Sequence, residues 1–250
     1  MKQKKCLVMG ILNITPDSFS DGGKYFNFEN AIKHVHHMIQ CGVDIIDIGG
    51  ESTRPNANQI TKEEELRRIL PIIKEISKII KDTNIEISID TYKASVAEEA
   101  LKLGAKIIND VSGLKESSNM TDIILKYNAK IVIMHNNGIP ATKPKKNSHN
   151  IIYEVYEWLK KKTKFAISQG VKKENIILDP GIGFGKTAQD DMKLIENIPL
   201  LKELGYPILI GSSKKSFISC LYPNEPLEKK SDEIDTLIIE NGADIIRKHF

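Results

Sequence analysis

From residue 7 to the end of the chain, short apolar runs alternate with longer segments whose apolar positions recur at helical spacing. Eight runs read as buried strands, at residues 7–12, 44–48, 85–89, 107–108, 131–134, 176–178, 207–210 and 243–246. Their near-continuous apolar character is that of parallel strands covered on both faces. Amphipathic stretches at 28–40, 62–81, 93–103, 118–127, 151–168 and 188–204 predict helices, and 214–240 holds one or two more. Thr61, followed three residues later by Glu64, is a capping signal for the second helix. Pro71 predicts a bend or break inside that helix, because proline removes a backbone donor. Gly42, Gly104, Gly205 and Gly242 each stand where a helix stops and a strand begins.

Eight strands joined by helical crossovers predict a (β/α)8 TIM barrel, with a doubly wound open sheet as the competing arrangement. Nearly every strand ends in a polar residue or loop: Asn13, Asp47 with Gly49, Asp90, Asn109, His135, Asp179, Ser212 and Arg247. A barrel gathers such ends around one mouth, whereas an open sheet spreads them along an edge. The 250 residues read as a single domain without a linker. The chain stops three residues after Arg247, so the pattern lacks the last outer helix of a barrel. A subunit partner, an altered arrangement or a shortened chain would each account for this, and the sequence does not choose among them.

Composition narrows the class. Hydrophobic residues make up 40% of the chain, enough for a sizeable core. A net charge of +3 is too small to imply nucleic-acid or membrane binding. Lys143, Lys145 and Lys146, and the lysines of 160–164, lack interleaved aromatics and read as solvated faces. Cys6, Cys41 and Cys220 are scattered and odd in number, so they read as small buried apolar residues. His34, His36 and His37 lack zinc-site spacing. The N-terminal MKQKKCLVMGIL has no small-residue cleavage site, and no stretch approaches the roughly 20 apolar residues of a membrane span. A cytoplasmic protein is expected.

The polar strand ends fall into two chemical groups. Asp90, Asn109 and Asp179 are acceptors suited to a flat heterocycle with ring N–H and amino donors. Taken singly they have plainer readings, with Asp90 as a helix cap and Asn109 and Asp110 as loop formers. The second group is cationic or anion-binding: Lys215, Arg247, His249 and the amides of GSSKKS, from Gly211 to Ser216. GSSKKS lacks the spacing of a nucleotide-binding P-loop. The glycines of DPGIGFGKTAQD do not match a dinucleotide fingerprint either. Gly181, Gly183 and Gly185 instead predict a tight loop beside a ligand, with Phe184 as an apolar wall.

Six stretches together resemble the dihydropteroate synthase family: MGILNITPDSFSDGG from Met9, DIGGESTRP from Asp47, ISIDTYKASVAEEAL from Ile87, IINDVSG from Ile107, LDPGIGFGKT from Leu178 and IGSSKKSF from Ile210. ADIIRKH from Ala243 is a weaker match. The resemblance implies a magnesium-dependent enzyme that joins a dihydropterin pyrophosphate to 4-aminobenzoate. It implies that Asp90, Asn109, Asp179, Phe184 and Lys215 hold the pterin, and that Asn13, Thr53, Arg54, Arg247 and His249 hold pyrophosphate. Phe19, Thr53, Arg54, Pro55 and Ser213 are implied around 4-aminobenzoate, and Asn13 and Asp17 at Mg2+. Asp17, Lys215, Arg247 and His249 carry the catalytic roles in that reading, the loops at 15–23 and 50–55 close over the reaction, and a homodimer is implied.

Three departures accompany the resemblance. HNNG follows the fifth strand where a Met or another long residue is commoner near Asn136 or Asn137, Lys214 replaces an Arg, and the tail reads RKHF rather than RVHD. Lys248 and Phe250 therefore predict a looser shell around Arg247 and His249. A non-catalytic pterin-binding homologue and a pterin-dependent methyltransferase are the alternative readings. The TPDSFSDGG and GGESTRP loops argue against the methyltransferase.

Overall fold

The computed structural model describes residues 6–15, 24–53, 57–139, 150–213 and 215–250, with the backbone alone for 24–27. Expectations for Asp17, Phe19, Arg54, Pro55, Lys143, Lys145, Lys146 and Lys214 lie outside the described residues. The strands are β1 (Leu7–Asn13), β2 (Ile45–Gly49), β3 (Glu86–Asp90), β4 (Ile107–Asp110), β5 (Lys130–Met134), β6 (Ile176–Asp179), β7 (Leu209–Gly211) and β8 (Ile245–Lys248). The helices are α1 (Lys24–Gln40), α2 (Lys62–Ile79), α3 (Ala94–Lys102), α4 (Met120–Tyr127), α5 (Ile151–Ser168), α6 (Ala188–Glu196), α7 (Ile198–Lys202), α8 (Ser216–Leu221) and α9 (Leu227–Glu240). The strands pair in parallel in the order β6-β5-β4-β3-β2-β1-β8-β7. A bridge between Leu178 and Ile208, with the Leu178 amide donating to the Pro207 carbonyl at 2.9 Å, joins the two ends. The sheet is therefore a barrel, not an open sheet.

Strand periodicity sorts the side chains into an outer and an inner set. Ile46, Ile48, Ile87, Ile89, Ile108, Ile131 and Ile133 join the main core cluster with the helices. Met9, Ile45, Ile107, Val132, Ile177, Leu209 and Ile245 form a separate apolar layer, the barrel floor. Two residues beyond four of these, on the same strand faces, stand Asp47, Asn109, Asp179 and Arg247. Cross-strand register sets Asp47 beside Ser88, and Asp90 beside Asn109. The same alternation that fills the floor with aliphatics thus stacks a polar layer on top of it.

Local signals act largely as expected. Thr61 Oγ1 accepts from the Glu64 amide at 3.3 Å and caps α2. Gly42, Gly104, Gly205 and Gly242 all have positive φ, the conformation in which a helix ends and only glycine is unstrained. Four expectations need correction. Pro71 neither ends nor divides α2: it lies on the exposed face, while Ile69, Ile72, Ile73 and Ile76 anchor the opposite face. The helix expected over 188–204 is two helices parted at Asn197, because Pro199 in the first turn of α7 has no amide to continue the α6 ladder. Cys41 and Cys220 are exposed, whereas Cys6 is half-buried and packs against the core. Cys41 follows the last turn of α1, and Cys220 lies on the open side of α8.

The fourth correction concerns the chain end. Among the described residues no helix follows β8, yet β8 is not loosely held. Lys248 turns outward and pairs with Asp235 at 3.1 Å and Asp232 at 3.5 Å. Phe250 packs against the core so closely that a Cβ built on Gly10 would lie 3.3 Å from its ring. No described helix is long and apolar enough to cross a membrane.

This packing predicts opposite outcomes on the two faces of α2. Ile73→Ala should cost about 2–5 kcal/mol by opening a core cavity. Pro71→Ala should raise stability, by up to about 3 kcal/mol, since it restores a helix donor at no packing cost. Urea midpoints compare the two variants; a destabilised Pro71→Ala would mean that the proline holds the helix in place.

Candidate active site

The polar layer is organised by one guanidinium. Arg247 donates from Nε to Asp47 Oδ2 at 2.6 Å and from Nη2 to Asp90 Oδ2 at 2.7 Å. Asn109 Nδ2 donates to the same Asp47 oxygen at 3.0 Å. Strands β8, β2, β3 and β4 are tied together at one level, and residues far apart in the chain become neighbours. Asp90 therefore does not act as a helix cap: Lys93 takes the position before α3, and its Ala94 amide is met by Ser117 Oγ. Asp110 does act as a loop former, accepting the Ser112 and Leu114 amides at 2.8 Å each. The expectation of two separate groups changes at one point, since Arg247, placed with the cations, is bonded to the acids.

Burial raises the Asp90 carboxyl to about 7; Arg247 pulls it down, and neighbouring Asp47 adds to the rise. Burial opposes the Arg247 charge, but Asp47 and Asp90 more than compensate and hold it protonated. Two acids sharing one guanidinium leave acceptor capacity over. Among the described residues, Asp47 Oδ1 and Asn109 Oδ1 are buried without a hydrogen-bond partner, and buried acceptors of that kind mark a place where a ligand donor fits.

The opposite wall is the loop between β6 and α6. Asp179 Oδ1 accepts the Gly181 amide at 2.7 Å. Gly181, Gly183 and Gly185 all have positive φ, and a Cβ at Gly181 would collide with the His135 carbonyl. The tight loop expected from the glycines is present for that reason. Lys215 reaches over from the neighbouring end of β7, donating from Nζ to the Ile182 carbonyl and lying 5.0 Å from the centre of the Phe184 ring. Burial lowers the Lys215 ammonium to about 8, with Asp179 and Asp191 resisting. Burial also raises Asp179, opposed chiefly by Lys215. Asn136 and Asn137, at the departure after β5, stitch that loop to the Val111 carbonyl at 2.5 Å and the Gly185 carbonyl at 2.8 Å.

The remaining positions surround this centre. Ser213 Oγ accepts the His249 amide at 3.3 Å, and Ser212 Oγ donates to Asp235 at 2.5 Å. A Cβ on Gly211 would lie 3.7 Å from Arg247 Cβ and 3.9 Å from Lys215 Nζ. On Gly49 it would lie 3.5 Å from Asn13 Oδ1 and 3.6 Å from Asp90 Cβ. Asn13 and Lys215 thus both border the Arg247 centre. Thr53 is half-buried beyond β2. The start of its loop is fastened by Arg68, which donates to the Gly50 carbonyl at 3.0 Å, and by Lys93, which bridges Glu51 and Glu65.

Sequence reasoning named Asp47 only as a strand end and missed its role as the main partner of Arg247. The available signal was an acid two residues past an inward-facing Ile45. Lys186, buried behind Phe184, was also missed, and nothing in the local pattern distinguishes it from a surface lysine.

With the ends of four strands joined in a buried acid–amide–guanidinium cluster, the class can be stated: the pterin binding enzyme family matches residues 9–249, and the chain belongs to it. Within that family its place is among the dihydropteroate synthases. It is 44% identical to the dihydropteroate synthase of Bacillus subtilis over 99% of this chain and 84% of that protein. The crystal structure of a dihydropteroate synthase from Clostridium difficile, determined in the presence of pteroic acid, is 47% identical with a TM-score of 0.86, covering 99% of this chain and 92% of that one. The Anaplasma phagocytophilum enzyme with bound 6-hydroxymethylpterin-monophosphate is 36% identical with a TM-score of 0.88, over 98% and 93% of the two chains.

Asp47→Ala would strip the fully buried carboxylate from Arg247 and Asn109 together. Breaking a buried pair by removing one partner should cost about 3–5 kcal/mol. Denaturant unfolding of the ligand-free protein measures this; a loss below about 1 kcal/mol, the range of an exposed pair, would show that Arg247 does not depend on Asp47.

Proposed function

We propose that this chain joins 6-hydroxymethyl-7,8-dihydropterin pyrophosphate to 4-aminobenzoate, giving 7,8-dihydropteroate and pyrophosphate, and that the residues assembled at the barrel mouth carry out the reaction. The observation behind it is the convergence of Asp90, Asn109 and Arg247 on one hydrogen-bonded cluster, with Asp179 and Lys215 facing it from the β6 side. The acids and the amide accept the ring and amino N–H groups of the pterin, and Phe184 with Lys215 lies against its face. Arg247 and His249, with Asn13 and Thr53, take the pyrophosphate. Ser213 and Thr53 are assigned to 4-aminobenzoate, and the family resemblance assigns Phe19, Arg54 and Pro55 to it as well.

The bond that breaks joins the pterin methylene carbon to a pyrophosphate oxygen, and its electron pair leaves with pyrophosphate. The aniline nitrogen supplies the pair for the new C–N bond and then gives up a proton. An aniline is already a nucleophile, so the site needs no activating base. It needs to hold two substrates in line, to balance charge on the leaving group, and to exclude water. Arg247 and Lys215 supply fixed positive charge there. Asn13 fits a magnesium site as a neutral oxygen ligand beside Asp90, with Asp17 as its expected partner, and the bound ion would offset pyrophosphate charge. A cytoplasmic location accords with the exposed thiols of Cys41 and Cys220, which suit a reducing compartment. In the homodimer expected of the assembly, exposed Leu200 and Ile239 are apolar side chains available for contact.

Full-length protein supplied with both substrates and Mg2+ should form dihydropteroate; a folded sample that forms none overturns the reading. Asp90→Ala and Lys215→Ala should each weaken pterin binding tenfold or more, about 1.4 kcal/mol, in calorimetric titration, and unchanged affinity in both would contradict the assignment. The pH profile has a definite sign. Asp90, with its carboxyl raised to about 7, loses acceptor character as pH falls through that value. Lys215, lowered to about 8, loses its charge as pH rises through it. The ratio kcat/KM for the pterin substrate should therefore be bell-shaped, with Asp90→Asn removing the acid limb. A flat wild-type profile between about pH 6 and 9 would show that neither group titrates in the free enzyme.

A further inference from the structure

The geometry assigns Lys186 as a positioning residue for the pterin site: its buried ammonium clamps the β6–α6 loop against the end of β5 and so fixes where Lys215 and the Phe184 ring stand. This inference rests on the dihydropteroate synthase reading. Lys186 meets Phe184 only at its backbone carbonyl, behind the face proposed to contact the pterin, and it is only 6% exposed. Its Nζ donates to three backbone carbonyls, Gly181 at 2.7 Å, His135 at 3.3 Å and Phe184 at 3.3 Å. An ammonium has three N–H donors and no acceptor, so three convergent carbonyls match its capacity one for one. The His135 carbonyl belongs to the residue after β5, and the other two belong to the loop.

What the clamp holds is the wall of the site. Between Gly181 and Phe184 lies Ile182, whose carbonyl receives the Lys215 ammonium. The Phe184 ring lies against the same ammonium. Glycine leaves this loop free to adopt many backbone conformations, so its shape has to be imposed from outside. Asp191 fastens one further point by accepting the Gly183 amide at 2.8 Å. Its charge and that of Asp179 also favour the Lys186 ammonium against burial. A neutral side chain of similar volume would fill the space but remove all three of these hydrogen bonds, leaving the Gly181 carbonyl with the Phe184 amide at 3.1 Å.

The test compares wild type with Lys186→Met and Lys186→Gln, the latter keeping two N–H donors without the charge. Steady-state rates are measured with each substrate varied in turn, alongside urea midpoints. Wild-type turnover must be seen first; its absence would count against the function itself and not against the clamp. With wild type active, Lys186→Met is expected to raise KM for the pterin pyrophosphate about tenfold or more, since three hydrogen bonds shaping that pocket are lost. KM for 4-aminobenzoate should stay within about twofold, and Lys186→Gln should recover part of the loss. Equal changes in both KM values, or a lower kcat with neither KM changed, would overturn the assignment. If neither variant folds, hydrogen exchange in the ligand-free wild type decides. Amides of residues 181–186 should exchange as slowly as those of β6, and exchange at the rate of an open loop would show that no clamp operates.

Discussion

The structure depends on a guanidinium kept charged inside a protein. Arg247 stands above an apolar floor that would expel an ion, and it is tolerable there only because Asp47 and Asp90 reach it from two other strands. The pairing has consequences in both directions. It fixes the last strand to the second and third, so the barrel mouth has one defined shape before any ligand arrives. It also leaves the acids under-neutralised, since two carboxylates share a single cation. Burial and mutual repulsion then raise Asp90 toward neutrality. A site built this way stands ready for a ligand that brings N–H donors to the acids and negative charge to the cations. Both are properties of a pterin pyrophosphate.

Much of the fold was legible because it follows from two periodicities and one punctuation mark. Near-continuous apolar runs gave the strands, helical spacing gave the crossovers, and glycine marked the joins through its positive φ at Gly42, Gly104, Gly205 and Gly242. The errors have a common cause, which is that a local signal was outweighed by tertiary burial or overlooked. Pro71 breaks helices in isolation, but four isoleucines of α2 buried against the barrel hold this one together. Pro199 went unread, and there the helix did divide. The cysteines were assigned inward by residue type alone, although Cys41 lies beyond the last apolar position of its helix.

The site was legible in its members more than in its connections. Asp90, Asn109, Asp179, Lys215 and Arg247 could be named because polar residues at the ends of barrel strands meet at one mouth. Which of them touch could not be read, since a hydrogen bond between Arg247 and Asp47 spans 200 positions of chain. Nor could buried charges such as Lys186 and Glu65 be told from the many lysines and glutamates on the surface. Their role is set by what surrounds them, and a sequence window holds little of that. The resemblance to a known family supplied roles for the mouth residues but was silent on these two.

The tail shows how much one step of register decides. Strand β8 presents Ile245 to the floor, Ile246 to the helices, Arg247 to the mouth and Lys248 to the outside. Arg247 and Lys248 are adjacent cations with unrelated partners, the first meeting Asp47 and Asp90 and the second Asp232 and Asp235. A slip by one residue would exchange them, driving an ammonium into the acid pair and a guanidinium onto α9. What the slip would lose is the guanidinium fork, which bonds Asp47 from Nε and Asp90 from Nη2 at once, a geometry an ammonium does not reproduce. Asp235 also accepts the Ser212 hydroxyl, which ties the outer pairing to the end of β7. The unusual Lys248 is thus part of what keeps Arg247 facing inward, and the mouth owes its geometry to a residue on the outside of the barrel.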